Sequence, residues 1–84
     1  MDFIKGENRF FAEDSEGLLL AEITFSETVP GVVNIDKTYV HPSQRGKGLA
    51  DALVSKAAES ILNDGKKPTA TCSYAKHWLE KNGL

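Results

Sequence analysis

The sequence predicts a small α/β (α+β) domain, in which a mixed sheet is built from elements in the order β-β-β-α-β-α. Residues 18–26 and 32–40 have the composition of strands, and residues 49–63 carry an apolar stripe at helical spacing. Strand side chains alternate between two faces, whereas helical side chains return to one face every three to four residues. A strand, a long helix and a further strand in succession predict a parallel strand pair joined by a right-handed crossover.

The length of the chain predicts one domain, residues 1–84. Apolar residues make up 40% of the chain and charged residues 26%, which is typical of a globular rather than a disordered protein. A chain this short buries only about 60% of its unfolded surface, so the core must be small. The N-terminal segment MDFIKGENRFF scatters charges among its apolar residues, so we expect neither a signal peptide nor a membrane span there.

Three strands are predicted before the helix. The segment NRFFAED is the first, and a turn at SEG leads into LLLAEITFS, residues 18–26. In this second strand an apolar face alternates with a mostly polar face, as expected of a half-buried antiparallel strand. The segment ETVPG is expected as a loop, and VVNIDKTYV, residues 32–40, is the third strand.

The third strand alternates irregularly. Val33 and Ile35 share a face, but the same phase places Lys37 beside them and leaves Val40 on the other side. A β-bulge near Asp36 to Thr38 would restore the register, and simple irregularity of an edge strand is the alternative.

The second half of the chain contains the helix at 49–63, which is expected to stop at the sequence Asn-Asp-Gly ending in Gly65. The segment KPTATC is predicted as a short strand, and Ser73 as the N-cap of a last helix that ends at Gly83. Three residues of this helix are expected to face inward: Ala75, Trp78 and Leu79. The third and fourth predicted strands end at the same edge of the sheet as the glycine-rich turn, where ligands of such sheets gather.

The turn QRGKG precedes the long helix and indicates an anion site. The first amide hydrogens of a helix have no intrahelical partner, and the helix dipole adds partial positive charge. Gly46 and Gly48 allow positive φ and close approach to the backbone, while Arg45 and Lys47 add charge. This predicts a phosphate or pyrophosphate cradle, and the alternative is that the glycines only turn the chain. Neither the P-loop nor the dinucleotide glycine pattern is present.

These residues resemble a known family. The segment QRGKGLA is similar to the acetyl-CoA signature of the GCN5-related N-acetyltransferases, Arg/Gln-x-x-Gly-x-Gly/Ala, with Arg45, Gly48 and Ala50 in its fixed places. The preceding TYVHP is similar to the strand of the family that ends in Val-x-Pro. The segment CSYAKHWLEKNGL resembles its closing stretch, and the matching residues are Ala75, Trp78, Gly83 and, loosely, Leu84. The resemblance covers roughly residues 17–84, and within the family it is to very short members with a Cys-x-aromatic-Ala stretch.

The resemblance implies a sheet with antiparallel N-terminal strands and a parallel pair splayed at an acetyl-CoA site. It implies that CoA pyrophosphate binds the amides of Arg45, Gly46, Lys47, Gly48, Leu49 and Ala50. It also implies that Thr38, Tyr39 and Val40 pair with the pantetheine arm and hold the acetyl carbonyl. Acetyl-CoA or CoA is the expected co-substrate, and no metal is expected.

The chain departs from the family pattern at two places. Leu79 stands where a tyrosine usually protonates the leaving sulfur, and Cys72 stands where an asparagine usually touches pantetheine. Cys72 could therefore bind the cofactor and act as nucleophile or acid, or be a small packed residue. Tyr74 could protonate the sulfur instead, or be a hydrogen-bonded rim group.

A general base is needed if an amine is acetylated directly. Glu22, on the polar face of the second predicted strand, and His41, at the end of the third, are candidates, although a solvated glutamate and a surface histidine are the alternatives. His77 is expected to be exposed. The segment AEDSEGLLL leaves room only for a tight turn, so the acceptor site must be open, shared with a second protomer or vestigial.

The net charge and the number of cysteines argue against some classes of protein. The net charge of −2 argues against a general nucleic-acid binder, and one cysteine excludes an intrachain disulfide, which favours the cytoplasm. We expect a monomer or homodimer without nucleic-acid or membrane partners. The first interpretation is an acetyltransferase acting on an unidentified amine or thiol. The others are a CoA-binding module with little or no transferase activity, and an unrelated domain that binds another phosphate or a protein.

Overall fold

The computed structural model describes residues 1–84 as one five-stranded sheet with two helices. The strands are β1 (Ile4–Gly6), β2 (Arg9–Glu13), β3 (Leu19–Val29), β4 (Val32–Val40) and β5 (Lys67–Ala70), and the helices are α1 (Leu49–Asn63) and α2 (Ser73–Lys81). The strands lie in chain order, with antiparallel pairing from β1 to β4 and parallel pairing between β4 and β5. The predicted α+β class and the mixed sheet are confirmed.

The predicted element order was short by one strand, because β1 adds a fourth strand before α1. This strand is held by backbone pairing with β2, in the register Ile4 with Phe11 and Gly6 with Arg9. Ile4 is 52% exposed, so no alternation of buried side chains marks the strand in the sequence. The segment expected as a loop at 27–31 is likewise mostly strand, since β3 extends to Val29 before a tight turn at Pro30 and Gly31.

The predicted β-bulge is present at Asp36. Thr24 pairs with Lys37 and Phe25 pairs with Ile35, so Asp36 has no partner in β3. The Thr24 hydroxyl donates a hydrogen bond of 2.5 Å to the Asp36 carboxylate and holds the extra residue in place. An extra residue reverses the face of every side chain that follows, so the C-terminal half of β4 is back in phase with the core.

The core lies between one face of the sheet and the helices. Its largest fully buried side chains are Ile23, Ile35, Leu53 and Val54. Ala75 of α2 belongs to the same cluster as the buried stripe of α1, so both helices cover the same face. The opposite face carries Phe11, Glu22 and Tyr39, and no helix covers it. Neither helix combines the length and the apolar composition that crossing a bilayer requires.

The two parallel strands separate toward their carboxyl ends. Pairing between β4 and β5 ends at Ile35 with Ala70, and the amides of Thr71 and Cys72 then both turn to the Ile35 carbonyl. β4 continues to Val40 with no strand on that side. This wedge between β4 and the start of α2 is the expected splayed pair, and it lies at the edge of the sheet where α1 begins.

Candidate functional site

The glycine turn between β4 and α1 has left-handed backbone geometry at two positions. Gly46 has φ of 81° and Gly48, the N-cap of α1, has φ of 75°. Residues with a side chain rarely adopt this backbone geometry, and the space where a Cβ would stand is open at both glycines. The sequence Arg-Gly-Lys-Gly therefore turns the chain sharply and leaves its backbone accessible.

The peptide amides that follow from this turn have no partner in the protein. None of the six amides from Gly46 to Asp51 donates a hydrogen bond within the chain, and the first helical bond is made by Ala52 to the Gly48 carbonyl. The predicted set is shifted by one residue, because the Arg45 amide donates to the Pro42 carbonyl at 3.4 Å and the free amides extend to Asp51. A run of free donors at the positive end of a fifteen-residue helix is a site for an anion.

A cavity of about 320 Å³ opens beside these amides. Its lining residues are Val40, Gln44, Arg45, Gly46, Gly48, Leu49, Ala50, Asp51 and Tyr74. Most of the predicted cofactor residues are thus brought together with the predicted Tyr74. Lys47 is not one of the lining residues, and its Nζ donates to Gln44 Oε1 at 3.2 Å. Arg45 Nε donates to the Val40 carbonyl at 3.3 Å.

A larger cavity of about 1000 Å³ adjoins the first one, because Asp51 and Tyr74 line both. It runs along α2, where its other lining residues are Ser73, His77, Trp78, Glu80 and Lys81. Together the two cavities form a continuous groove from the glycine turn along the outer side of α2. A ligand longer than a phosphate can therefore extend from the anion site.

Cys72 lies in the wedge as the N-cap of α2, and Ser73, which was predicted to be the N-cap, is the first helical residue. The Cys72 side chain is partly buried, and its Sγ lies 3.5 Å from the Thr38 hydroxyl. Burial raises the pKa of the thiol, but the neighbouring Ala75 amide, the Thr38 hydroxyl and the Tyr74 and Thr38 amides together lower that pKa below its ordinary value. The contact with the Thr38 hydroxyl is the one hydrogen bond of the Cys72 side chain.

Comparison with known proteins assigns the family. The family model described as GCN5-related N-acetyl-transferase matches residues 9–83, almost the entire chain. The chain belongs to the GCN5-related N-acetyltransferase family. This family uses acetyl-CoA as its acetyl donor, so the donor is expected at the groove and wedge described above.

Solved structures agree with this family assignment. A GCN5-like protein from Staphylococcus aureus, named as an N-acetyltransferase, is 37% identical, with 96% of this chain and 79% of that chain aligned at a TM-score of 0.79. A protein from Pyrococcus furiosus named as an acetyltransferase is 27% identical over 95% of this chain and 60% of its own, at a TM-score of 0.67. The chain thus spans three fifths of this longer relative. Comparison with the curated proteins gave no match.

One fold-level match has acetyl-CoA in its name. It is an acetyltransferase from Clostridium acetobutylicum, 18% identical over 90% of this chain and 56% of that one, with a TM-score of 0.65. At this identity the match shows a common fold. The fold of this chain is therefore shared with a protein in which it spans little more than half the length.

The candidate bases lie in environments that the sequence did not indicate. The Glu22 side chain is only 12% exposed, and it accepts from Arg9 Nη2 at 2.7 Å and Lys37 Nζ at 3.4 Å. It is therefore held by two cations on the uncovered sheet face, rather than solvated. His41 Nδ1 accepts from the Ser43 amide at 3.1 Å and caps a short 3₁₀ turn. That contact makes His41 a structural residue of the turn.

Sequence reasoning missed three groups at the site. Gln44 and Asp51 line the anion cavity, and the Thr38 side chain contacts Cys72. The Asp51 amide could have been found, because the first turn of any helix leaves its amides free. The Thr38 contact joins residues separated by 34 positions, and no local pattern indicates it. No group of three or more His, Cys, Asp or Glu side chains is arranged to hold a metal ion.

Proposed function

We propose that this chain binds acetyl-CoA in the groove and transfers its acetyl group to an amine or thiol acceptor. The observation that carries the proposal is the row of unpartnered amides, Gly46 to Asp51, which faces a cavity at the positive end of α1. A diphosphate offers several acceptor oxygens and two negative charges, and such a row satisfies both. The Arg45 guanidinium at the wall of the cavity adds a charged donor.

The wedge supports a position for the pantetheine arm. Residues 36–40 of β4 have no strand partner on the β5 side, so this strand edge is open to an extended ligand. Two of its backbone groups already have neighbours, because the Val40 carbonyl accepts from Arg45 Nε at 3.3 Å and the Thr38 amide lies near Cys72 Sγ. An amide-bearing arm can add to such an edge as a strand would. We propose that Thr38, Tyr39 and Val40 lie along the arm and that the thioester approaches Cys72.

Cys72 is proposed as the first acceptor of the acetyl group. Its thiolate attacks the thioester carbonyl, the bond between carbonyl carbon and CoA sulfur breaks, and CoA leaves as a thiolate that takes up a proton. The unprotonated amine of the acceptor then attacks the Cys72 thioester, releases the Cys72 thiolate and loses one proton to solvent. The donors around Sγ favour the thiolate that this route requires.

Tyr74 is the proposed proton donor to the leaving CoA sulfur. It lines both cavities and is 46% exposed, so its phenol is open to the groove. Leu79, at the place of the usual tyrosine of the family, is 4% exposed and packs in the core. Tyr74, two residues after Cys72, is the tyrosine nearest to Cys72 in sequence.

The second candidate function is a CoA-binding module without transferase activity. The observation that favours it is the connection between β2 and β3, where Asp14 Oδ1 accepts from the amides of Glu16 and Leu18 in a tight turn. This connection contains no helix or strand that could hold an acceptor. If the chain is a transferase instead, its acceptor must bind at an open site or between two copies of the chain. In either case we propose the reducing cytoplasm, where Cys72 stays a free thiol.

The test combines ligand-induced stabilisation with the mass of the intact protein. We expect the melting temperature to rise with acetyl-CoA and with CoA, but not with inorganic phosphate at the same concentration. Incubation with acetyl-CoA should add the mass of one acetyl group to the wild type and none to Cys72→Ala. Stabilisation without any adduct, and without CoA release in the presence of amines, would support the binding module. No stabilisation by either CoA compound would refute both functions.

A further inference from the structure

The β-bulge at Asp36 decides which side chain of β4 faces the wedge. Because Asp36 has no partner in β3, Thr38 pairs with Ile23 on the helix-covered face, and Lys37 projects from the opposite face. Uninterrupted alternation would have placed Lys37 beside Cys72. Because of the bulge, the short hydroxyl side chain of Thr38 faces the wedge, and the long cationic side chain of Lys37 does not.

The Thr38 hydroxyl contacts the Cys72 thiol, with Oγ1 and Sγ 3.5 Å apart. Both side chains are partly buried. The backbone of Cys72 is held at the same place, since its amide and the Thr71 amide donate to the Ile35 carbonyl at 3.3 and 3.1 Å. The sulfur is therefore fixed from two sides, by its own backbone and by the hydroxyl across the wedge.

A hydroxyl at this position serves both protonation states of the sulfur, because it accepts from a thiol and donates to a thiolate. The other groups that lower the Cys72 pKa are the nearby peptide amides of Ala75, Tyr74 and Thr38. The orientation of a backbone amide is fixed by the chain. The Thr38 hydroxyl belongs to a side chain, so a substitution can remove it without changing the backbone. The contribution of the Thr38 hydroxyl to the stability of the Cys72 thiolate can therefore be measured.

We propose that Thr38 is the positioning residue for Cys72, whose sulfur its hydroxyl orients in the wedge and stabilises as a thiolate. The inference rests on the proposed role of Cys72 as acetyl acceptor. The Thr38 side chain acts through the sulfur, so its removal should change how readily Cys72 reacts at a given pH.

Other titratable side chains lie on the two elements that meet at Cys72. On β4 they are Asp36, Lys37 and Tyr39, and on the first turns of α2 they are Tyr74, Lys76 and His77. Asp36 is hydrogen-bonded to Thr24, and Lys37 to Glu22, on the uncovered face. The groups that act on the Cys72 pKa are uncharged donors and burial. The effect of the hydroxyl should therefore persist at high salt, unlike that of a charged neighbour.

The experiment measures alkylation of Cys72 by iodoacetamide as a function of pH, in the free protein and without acetyl-CoA. Cys72 is the one cysteine of the chain, so the modified fraction reports on it alone. Thr38→Val removes the hydroxyl and keeps the branched shape, and Thr38→Ser keeps the hydroxyl. Thr69→Val is the matched control, because its hydroxyl bonds the Val33 carbonyl at 3.3 Å, away from Cys72.

We expect the alkylation rate of Thr38→Val to fall about threefold to tenfold below neutral pH, as loss of one hydrogen bond to an anion requires. The profiles of Thr38→Ser and Thr69→Val should follow the wild type. A folded Thr38→Val with the wild-type profile would overturn the proposal, and so would an equal change in Thr69→Val or a failure of serine to restore the rate. Because no acetyl-CoA is present, this result is independent of whether the protein transfers acetyl groups.

Discussion

The indole Nε1 of Trp78 in α2 donates a hydrogen bond of 2.8 Å to Oδ1 of Asp51 in the first turn of α1. This contact joins the two helices beside the groove and holds a carboxylate next to the free amides of the glycine turn. Asp51 therefore has two opposite effects. It stabilises the helix pair and the positive end of α1, but it places a negative charge where a diphosphate is proposed to bind.

Two substitutions of Asp51 should separate these effects. Asp51→Asn keeps an oxygen acceptor for Trp78 and removes the charge, so we expect CoA affinity to rise about twofold to fivefold at low salt. Asp51→Ala also loses the hydrogen bond, and its free energy of unfolding should fall by about 1–2 kcal/mol. Isothermal titration with CoA and urea denaturation measure the two quantities. Weaker CoA binding by Asp51→Asn would contradict the proposed position of the diphosphate.

Substitution of a glycine in the turn before α1 should weaken CoA binding, and a second glycine of similar geometry shows whether backbone strain is the cause. Gly48 and Gly17 have φ of 75° and 84°, and both have open space where a Cβ would stand. Alanine at either position should cost about 1–2 kcal/mol, because a side chain is strained in this geometry. Only Gly48→Ala should weaken CoA binding, since its methyl group projects beside the free amides. Titration of both variants with CoA checks this, and equal weakening in Gly17→Ala would show that strain alone is responsible.

Burial in the core predicts that truncating two different aliphatic side chains lowers the free energy of unfolding by very different amounts. Ile35 is fully buried between the sheet and the helices, whereas Leu62 on the outer side of α1 is 46% exposed. Ile35→Ala should lower the free energy of unfolding by about 2–5 kcal/mol, and Ile35→Val by about 0.5–1.5 kcal/mol. Leu62→Ala should change it by less than about 1 kcal/mol. Urea denaturation is the measurement, and the valine variant gives an answer even if the alanine variant does not fold.

The ion pair between Glu27 and Lys66 predicts how stability changes with pH. Lys66 Nζ lies 2.6 Å from Glu27 Oε1, and the Gly31 amide donates to Glu27 Oε2 at 2.9 Å. The hydrogen bond from Lys66 lowers the pKa of Glu27, and Glu27 raises the pKa of Lys66. The stabilisation should be complete above the ordinary pKa of a glutamate, and it should be lost as the pH falls through the lowered pKa. At the alkaline end it should be lost as the pH rises through the raised pKa of Lys66.

Melting temperatures of the wild type and Glu27→Gln should therefore differ at neutral pH and converge in acid, below the lowered pKa of Glu27. Glutamine keeps an acceptor for the Gly31 amide, so the comparison isolates the charge. Both side chains are exposed, and the difference should be small and should shrink with added salt. A difference that persists unchanged in acid would mean that the ion pair is not its cause.

The elements that sequence reasoning located well are those with a strong local signal. The bounds of β4 and α1 were predicted as the structure has them, because a β-branched run and a helical stripe stopped by Asp-Gly depend on neighbouring residues alone. β1 could not be located, because its three residues have little to bury and are held by the backbone of β2. The N-cap of α2 was misplaced by one residue, since Cys72 occupies it without a side-chain hydrogen bond to an amide of the helix.

The sequence by itself determined the fold class, the family and the free amides of the glycine turn. These follow from periodicity, from a short motif and from the geometry of any helix N-terminus, which all act over a few residues. Only the tertiary structure decided that Trp78 meets Asp51, that two cations hold Glu22, and that the bulge brings Thr38 to Cys72. Those contacts depend on the register of strands and the packing of helices, and these are set by the whole core at once.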